Sequence, residues 1–454
     1  MRAANISREE LKDFYFLTAI DPNRAVKGSR DPLGFQTLWT HYGRQVVSNL
    51  TTVTTSIPSF TTLLLGLHYA AQLIDGEDCA QDDLIPIFLR FEQIAAYSRY
   101  ARGRDNGIDL EIRGIDRVSR RMDDRQKARI STDREHMILS DQKTYGIWGL
   151  YTVAAKTSGL IEANGFRLTP AAEKFVSEHI LVPKKGFTSN INRAILSFLV
   201  ANGKEFRPFD SDSSVAAALA NAHEPKYSNS ELGFFTTHLL HGGTDKRGEI
   251  QERFWQLLFS LNTSLRTRIS WGNDFSMPEL KQLIDMAGAK NDEQLAERLV
   301  HVQRLEELLV PLEAIFNFMM TQDGQTTGSI SRQVSKEWKT GLKHINDKAL
   351  KKQFSVLAGD FTLTTKERLS NLALSLRNGE FENVLRELLV QNKEVMERRG
   401  SAPWIEIKNE VLNVKFRERG SDLPAKSDVA ETWKNNYFLG SLKSIGGKLI
   451  AGAR

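Results

Sequence analysis

The sequence predicts a mainly α-helical, multi-domain protein with one small β-hairpin near its C-terminal end. Three observations carry that expectation. The chain has 454 residues, and at ~100–200 residues per domain it exceeds what one core holds and points to two to four domains. Segment after segment repeats apolar residues at helical spacing. One stretch alone, Trp404-Ile405-Glu406-Ile407-Lys408 followed by Val411-Leu412-Asn413-Val414-Lys415-Phe416, alternates apolar and polar residues around an Asn409-Glu410 turn, the pattern of two antiparallel strands.

The helices are read in chain order. Ser7-Arg8-Glu9-Glu10 resembles a capping box opening a helix to Phe16, and Asp21-Pro22 with Gly28 marks a loop. Leu38, Trp39, Tyr42 and Val46 put a helix over 35–47. The weakly polar run 57–74 is interrupted by Ser59, Thr61, Thr62, His68 and Gln72, so it reads as a core helix and not as a bilayer span, which takes ~20 mostly apolar residues. A further amphipathic helix covers 85–100, and the turn-rich stretch 103–109 suits an exposed loop. Beyond residue 190 the spacing predicts helices over 194–202 and 213–222, and a helical block from Arg247. A long helix over 292–319 is expected to kink or end at Pro311. Residues 321–329 (TQDGQTTGS) read as a linker. Helices over 366–376 and 381–399 are joined at Arg377-Asn378-Gly379 as an αα-hairpin, and an apolar, basic helix covers 433–450.

Composition narrows the function. Hydrophobic content of 41% with 26% charged residues is that of a globular chain. The N-terminal residues hold acidic side chains and lack an apolar stretch, so no secretory signal is expected. The single cysteine, Cys79, rules out a disulfide within the chain and a multi-cysteine metal site, and a cytoplasmic protein with no membrane contact is the expectation. Net charge is +5, but it is unevenly spread. Residues 99–129 carry ten basic side chains against six acidic ones, and 143–193 carry seven against three. The intervening 130–142 carry one against three.

The stretch 145–180 has its own grammar. An amphipathic helix leads to an apolar strand at Gly159-Leu160-Ile161, a polar turn at Ala163-Asn164-Gly165, a return strand at Phe166-Arg167-Leu168 and a helix from Thr169-Pro170. Gly159 lets the first helix end, Asn164-Gly165 suits a two-residue turn, and Thr169 caps a helix with Pro170 in first position. Ser158-Gly159-Leu160-Ile161 and Leu168-Thr169-Pro170, with Glu173-Lys174-Phe175 after them, resemble the wing of bacterial winged-helix proteins. The resemblance covers under a fifth of the chain. It implies an embedded winged-helix domain over 91–185, flanked by an N-terminal helical domain at 1–90, a central one at 186–320 and a C-terminal one with the hairpin at 330–454. It also implies that the helix over 143–157 enters the major groove of double-stranded DNA. Lys143, Thr144, Tyr145, Tyr151, Thr152, Lys156 and Thr157 are its polar candidates, and Trp148, Leu150 and Val153 its core-facing ones. Asn164 and Arg167 at the wing tip would approach a phosphate.

That helix has no arginine and two lysines, whereas base readout usually uses Arg, Asn or Gln. The same composition suits a winged helix that docks a partner protein. Phosphate affinity is therefore expected mainly from the arginines upstream, Arg99, Arg102, Arg104, Arg113, Arg117, Arg120, Arg121, Arg125 and Arg129. Arg113, Arg117, Arg120 and Arg121 fall on one helical face. The competing reading is a solvated face paired to Asp116, Asp123 and Asp124.

No residue is expected to be catalytic, and no metal or cofactor is expected. His238-Leu239-Leu240-His241 spaces two imidazoles one turn apart, but no Glu follows His238 and no cysteine is near. Phosphate-loop and nucleophile-elbow patterns are absent from the sequence. Glu406-Ile407-Lys408 resembles half of a Mg²⁺-dependent nuclease motif without its partner carboxylate. The expected function is a non-enzymatic DNA-binding subunit of a prokaryotic multi-protein assembly, in anti-phage defence or DNA processing, with weak sequence specificity. The rivals are a protein–protein scaffold whose winged helix docks a partner subunit and a nuclease using Glu406 and Lys408.

Overall fold

The computed structural model describes residues 31–103, 111–243, 248–264, 274–359, 361–417 and 419–453. It is 64% helical and 4% strand, the mainly α class expected. The helix and loop expected between Ser7 and Gly28, the stretch 104–109 and the helix start near Arg247 lie outside the described residues. The chain divides into two compact units, one of residues 1–39 and 300–435 and one of 40–299 and 436–454, so each gathers segments distant in sequence.

In the unit of 40–299 and 436–454 the core is built on two helices, Ile57–Asp75 and Leu84–Gly103. Ser56 caps the first by accepting from the Ser59 amide, with Pro58 in its opening turn. Gly66 lets the two helices meet closely, since a Cβ there would lie 2.7 Å from the Phe88 ring. The helix Ser213–Ala222, at the bounds expected, packs on Leu84–Gly103. Its capping His223 shares a 2.9 Å hydrogen bond with Thr62 Oγ1. Burial, helped by the charge of Arg99, lowers the imidazole to about 3, so it stays neutral in the core. A buried amide pair closes this unit: Asn49 donates to Ser158 Oγ and the His238 carbonyl, and Gln251 donates to Asn49 Oδ1. The last helix runs over Leu439–Gly452 and starts later than the 433 expected, because Tyr437 and Phe438 take φ +47° and +65°. Its Lys443 is buried and donates to Glu279 Oε2 at 3.0 Å.

A helix, a short hairpin and a second helix occupy 147–175. The helix Ile147–Thr157 ends in Gly159 at φ +68°. The two expected strands reduce to a single antiparallel bridge, Ile161 with Leu168, flanked by the Glu162 N–H to Arg167 carbonyl bond at 2.9 Å. A hairpin this short leaves no room for a longer ladder. Thr169 then caps the helix Pro170–Phe175, with Pro170 in first position as expected. A second, unforeseen strand pair joins Ala128–Ile130 to Lys204–Phe206.

In the unit of 1–39 and 300–435, the helices Leu363–Asn378 and Phe381–Arg398 form the αα-hairpin, turning at Gly379 with φ +78°. Arg368 locks them by a two-pronged bond to Glu394, both arms at 2.7 Å, and a third bond to Gln391. The helix Glu293–Met319 continues through Pro311; buried Leu308, Leu309, Leu312 and Ile315 on either side hold it there, so proline is neither its end nor a domain edge. The stretch 321–329 is not a linker either. Gly324 donates to the Leu412 carbonyl, Val414 N–H donates to Asp323, and Thr326 caps the helix Thr327–Trp338. The C-terminal hairpin forms as expected, Ile405–Lys408 against Val411–Val414 with Ile405 opposite Val414. Asn409 and Glu410 both take positive φ, +52° and +67°, the two-residue turn that matches strand twist. Glycine suits the second of these positions better than glutamate. Glu410→Gly is therefore expected to stabilise the protein by about 0.5–1 kcal/mol, read as a raised urea midpoint; an unchanged or lowered midpoint would refute that account of the turn.

Candidate phosphate-binding face

The arginines that converge do so because of a left-handed glycine and a folded-back turn. Gly114, at φ +76°, opens the helix Ile115–Arg125, which closes on Gln126 at φ +53°. Val118 and Met122, one turn apart, are its buried side chains, so Arg117, Arg120 and Arg121 point away from the core. Past the strand Ala128–Ile130 the chain turns sharply. Ser131 Oγ donates to Asp133 at 2.7 Å, and the His136 and Met137 amides both donate to the Asp133 carbonyl. That turn brings the carbonyls of residues 135–137 back over the arginine helix.

Arg121 donates to the carbonyls of Glu135 at 2.5 Å, His136 at 2.6 Å and Met137 at 3.3 Å, and to the Tyr97 hydroxyl at 2.8 Å. Burial raises the Tyr97 pKa against the opposing pull of Arg121, so this partner stays neutral. Arg117 donates to the Met137 carbonyl at 3.3 Å. Arg120 Nε donates to the backbone carbonyl of Asp116, not to its carboxylate. Of the other two expected partners, Asp123 accepts from the Tyr100 hydroxyl and Asp124 is exposed. The guanidinium groups are thus held by neutral oxygens, which fix position without cancelling charge. Arg117, Arg120, Arg121 and Arg134, with Glu135 and Ser140, line a depression of about 570 Å³.

The other candidates take separate places. Arg113 precedes the helix and lines a small cleft with Glu92, Arg99 and Ile147, so it does not share the face of Arg117, Arg120 and Arg121. The reason is Gly114, whose left-handed φ turns the chain between them. Arg99 is buried, Arg102 donates to the Ser213 carbonyl, and Arg129 donates to the Gly203 carbonyl. Arg125 is exposed at the helix end, outside the depression. Arg104 lies outside the described residues. Arg134 was missed because its own stretch, 130–142, is acidic on balance.

Lys143, Thr144 and Tyr145 are exposed on the short helix Gln142–Tyr145, which Asp141 caps through the Thr144 amide. The next helix is separate, Gly146 intervening. Tyr151 and Thr152 are buried and committed, to the Val53 and Trp148 carbonyls at 3.1 and 2.5 Å, so they offer nothing to a groove. Trp148 is buried as expected, but Val153 is 62% exposed. The buried face follows Trp148, Tyr151, Thr152 and Ala155, and Val153 lies off it. Thr157 donates to the Asn49 carbonyl. Lys156 sits 4.3 Å over the Phe166 ring, which packs at a tilt against Trp148 with centroids 4.7 Å apart. Asn164 is exposed at the hairpin tip; Arg167 is bound through both arms to Asp75, one bond at 2.8 Å, so its charge is already matched.

His238 is buried with Nδ1 on the Ser158 carbonyl at 2.8 Å, while His241 lies 3.7 Å from Glu252. Glu406 is paired with Lys415 at 2.8 Å and accepts from Asn413, and Lys408 is exposed. Asp109 is outside the described residues, and Glu111 holds Lys448. Among the described residues no group of three or more His, Cys, Asp or Glu is placed to hold a metal. No protein family, curated protein or solved structure matches this chain.

Proposed function

We propose that this chain binds nucleic acid, double-stranded DNA in the first place, through the phosphate backbone, as a non-enzymatic member of a multi-protein assembly. One observation supports this above others: Arg117, Arg120, Arg121 and Arg134 share a depression, and none pairs with a carboxylate among the described residues. Uncompensated guanidinium groups held by carbonyls are ready donors for phosphate oxygens and carry no base preference. Reversing Arg117, Arg120 and Arg121 to glutamate is expected to weaken duplex binding at least a hundredfold. It should also flatten the log Kd against log salt slope by about 2–3. Fluorescence anisotropy across a salt series reads both. Wild-type affinity and slope in the triple variant would sink the reading.

The helix Ile147–Thr157 and its hairpin favour a second role on the winged-helix reading. Val153 is 62% exposed, Phe166 37% and Tyr145, on the short helix just before, 60%, exposed apolar side chains that suit protein docking better than a DNA groove. Val153→Asp is expected to leave melting temperature and duplex affinity unchanged and to abolish co-purification of a partner subunit in salt that strips nucleic acid. Loss of duplex affinity in this variant would instead assign the helix to DNA.

A further inference from the structure

Resting on the phosphate-binding reading, we infer that the arginine depression selects a phosphomonoester or polyphosphate group over the internal diesters of a duplex. Charge is the first argument. Four guanidinium groups against the one carboxylate of Glu135 leave three positive charges in one depression. An internal phosphodiester brings one negative charge, whereas a phosphomonoester brings about 1.5–2 at pH 7 and a polyphosphate more. A polyphosphate balances the site, and a phosphomonoester comes closer to doing so than a single diester.

Shape is the second. Duplex DNA presents its phosphates on a convex surface, which flat contacts can follow. An open depression of about 570 Å³ matches in volume the ~300–1,000 Å³ of small-ligand sites. Preorganisation is the third. Arg121 is fixed by four neutral acceptors, Arg117 by one and Arg120 by the Asp116 carbonyl, while Arg134 is exposed at the rim. Three anchored donors with a fourth at the rim can surround a terminal phosphate on several sides, where a chain phosphate has two of its oxygens in ester linkage. Ser140 adds a hydroxyl donor at the same wall.

The same chemistry reaches the site from two sources, a free nucleoside polyphosphate or the 5′-phosphorylated end of a strand. Calorimetric titration of the full chain with inorganic tripolyphosphate and with ATP tests the first. Competition between otherwise identical duplexes carrying 5′-phosphate or 5′-hydroxyl ends tests the second. Saturable tripolyphosphate binding is expected, weakened about tenfold or more by Arg134→Ala. Arg125→Ala, whose side chain lies outside the depression, should leave it within about twofold, and Glu135→Gln should strengthen it by removing the opposing charge. Arg134 and Glu135 are exposed, so neither change threatens the fold.

A 5′-phosphate preference of fivefold or more, lost in Arg134→Ala, identifies strand ends as the source. Tripolyphosphate and ATP binding without that preference identifies free nucleotide. No saturable tripolyphosphate binding at millimolar concentration together with equal affinity for both duplexes overturns the inference. If arginine-dependent duplex binding persists in that case, the backbone reading stands alone. If tripolyphosphate binds and duplex does not, the backbone reading falls and this one stands.

Discussion

Gly114→Ala is expected to destabilise the protein by about 3 kcal/mol and to dismantle the arginine face with it. Two costs combine. The residue sits at φ +76°, where an L side chain costs ~1–2 kcal/mol. In addition, a Cβ at this position would lie 2.3 Å from the Ile138 carbonyl oxygen and 2.9 Å from its carbon, contacts that no rotamer relieves because both partners are backbone. The chain must then move the 131–141 turn off the helix Ile115–Arg125. That movement takes away the carbonyls that hold Arg117 and Arg121. Gly324→Ala is the matched control: its φ is also +76°, and nothing lies within 4 Å of its Cβ. Urea denaturation should show Gly324→Ala costing about 1 kcal/mol and Gly114→Ala two to three times as much. Equal losses would mean that the close approach to Ile138 plays no part. Duplex affinity should drop with Gly114→Ala and hold with Gly324→Ala.

What could be read from the residues, and what could not, follows from the range of the forces involved. Helices such as Ser213–Ala222 and the αα-hairpin at Gly379 are set by spacing and caps a few residues apart, so their sequence carries them. The hairpin at Asn409 and Glu410 was legible for the same reason, its alternation being local. The strand pair Ala128–Ile130 with Lys204–Phe206 was not, because three-residue strands have no period and their partners are 74 to 78 residues apart in the register Ala128 to Phe206 and Ile130 to Lys204. The candidate site shows the same split. Arg117, Arg120 and Arg121 fall on one helix, and their spacing found them. Arg134 joins them only through the turn at Asp133, and Arg113 leaves them only because Gly114 is left-handed. Charge counted along the sequence could see neither event, since it ranks 130–142 as acidic. The same holds for pairing: Asp116 and Asp123 stand at salt-bridge spacing from the arginines, yet one offers its backbone and the other takes Tyr100.

Beneath the helix Ile147–Thr157 a buried acid should give the fold a measurable pH dependence. Glu92 is 1% exposed. It accepts from the Ile147 amide at 2.7 Å and from Gln142 Nε2 at 2.8 Å. Gly146 keeps this approach open, since a Cβ there would lie 2.8 Å from both carboxylate oxygens. Burial pushes the carboxyl up to about 7 from 4.5, and the two donors with the charge of Arg113 only partly oppose it. A folded-state pKa raised above the unfolded one means that the native state holds the proton more tightly. The linked stability is therefore full below pH 4.5 and is lost progressively as pH rises to about 7. Two and a half pH units at 1.36 kcal/mol each amount to about 3 kcal/mol. His223, lowered to about 3, and His238, lowered by burial, pull the other way. Each destabilises the fold as pH falls below the ordinary imidazole value of 6.5, so the raw profile of the wild type mixes the effects. The difference between wild type and Glu92→Gln cancels both histidines. The variant adds a constant offset, because the new amide opposes Gln142 Nε2. On top of that offset, the wild type should lose about 3 kcal/mol relative to Glu92→Gln between pH 4.5 and 7 and nothing further above it. Urea midpoints at half-unit steps from pH 4 to 8.5 provide the curve. A flat difference would show that the carboxylate is charged throughout, satisfied by Ile147 and Gln142 despite its burial.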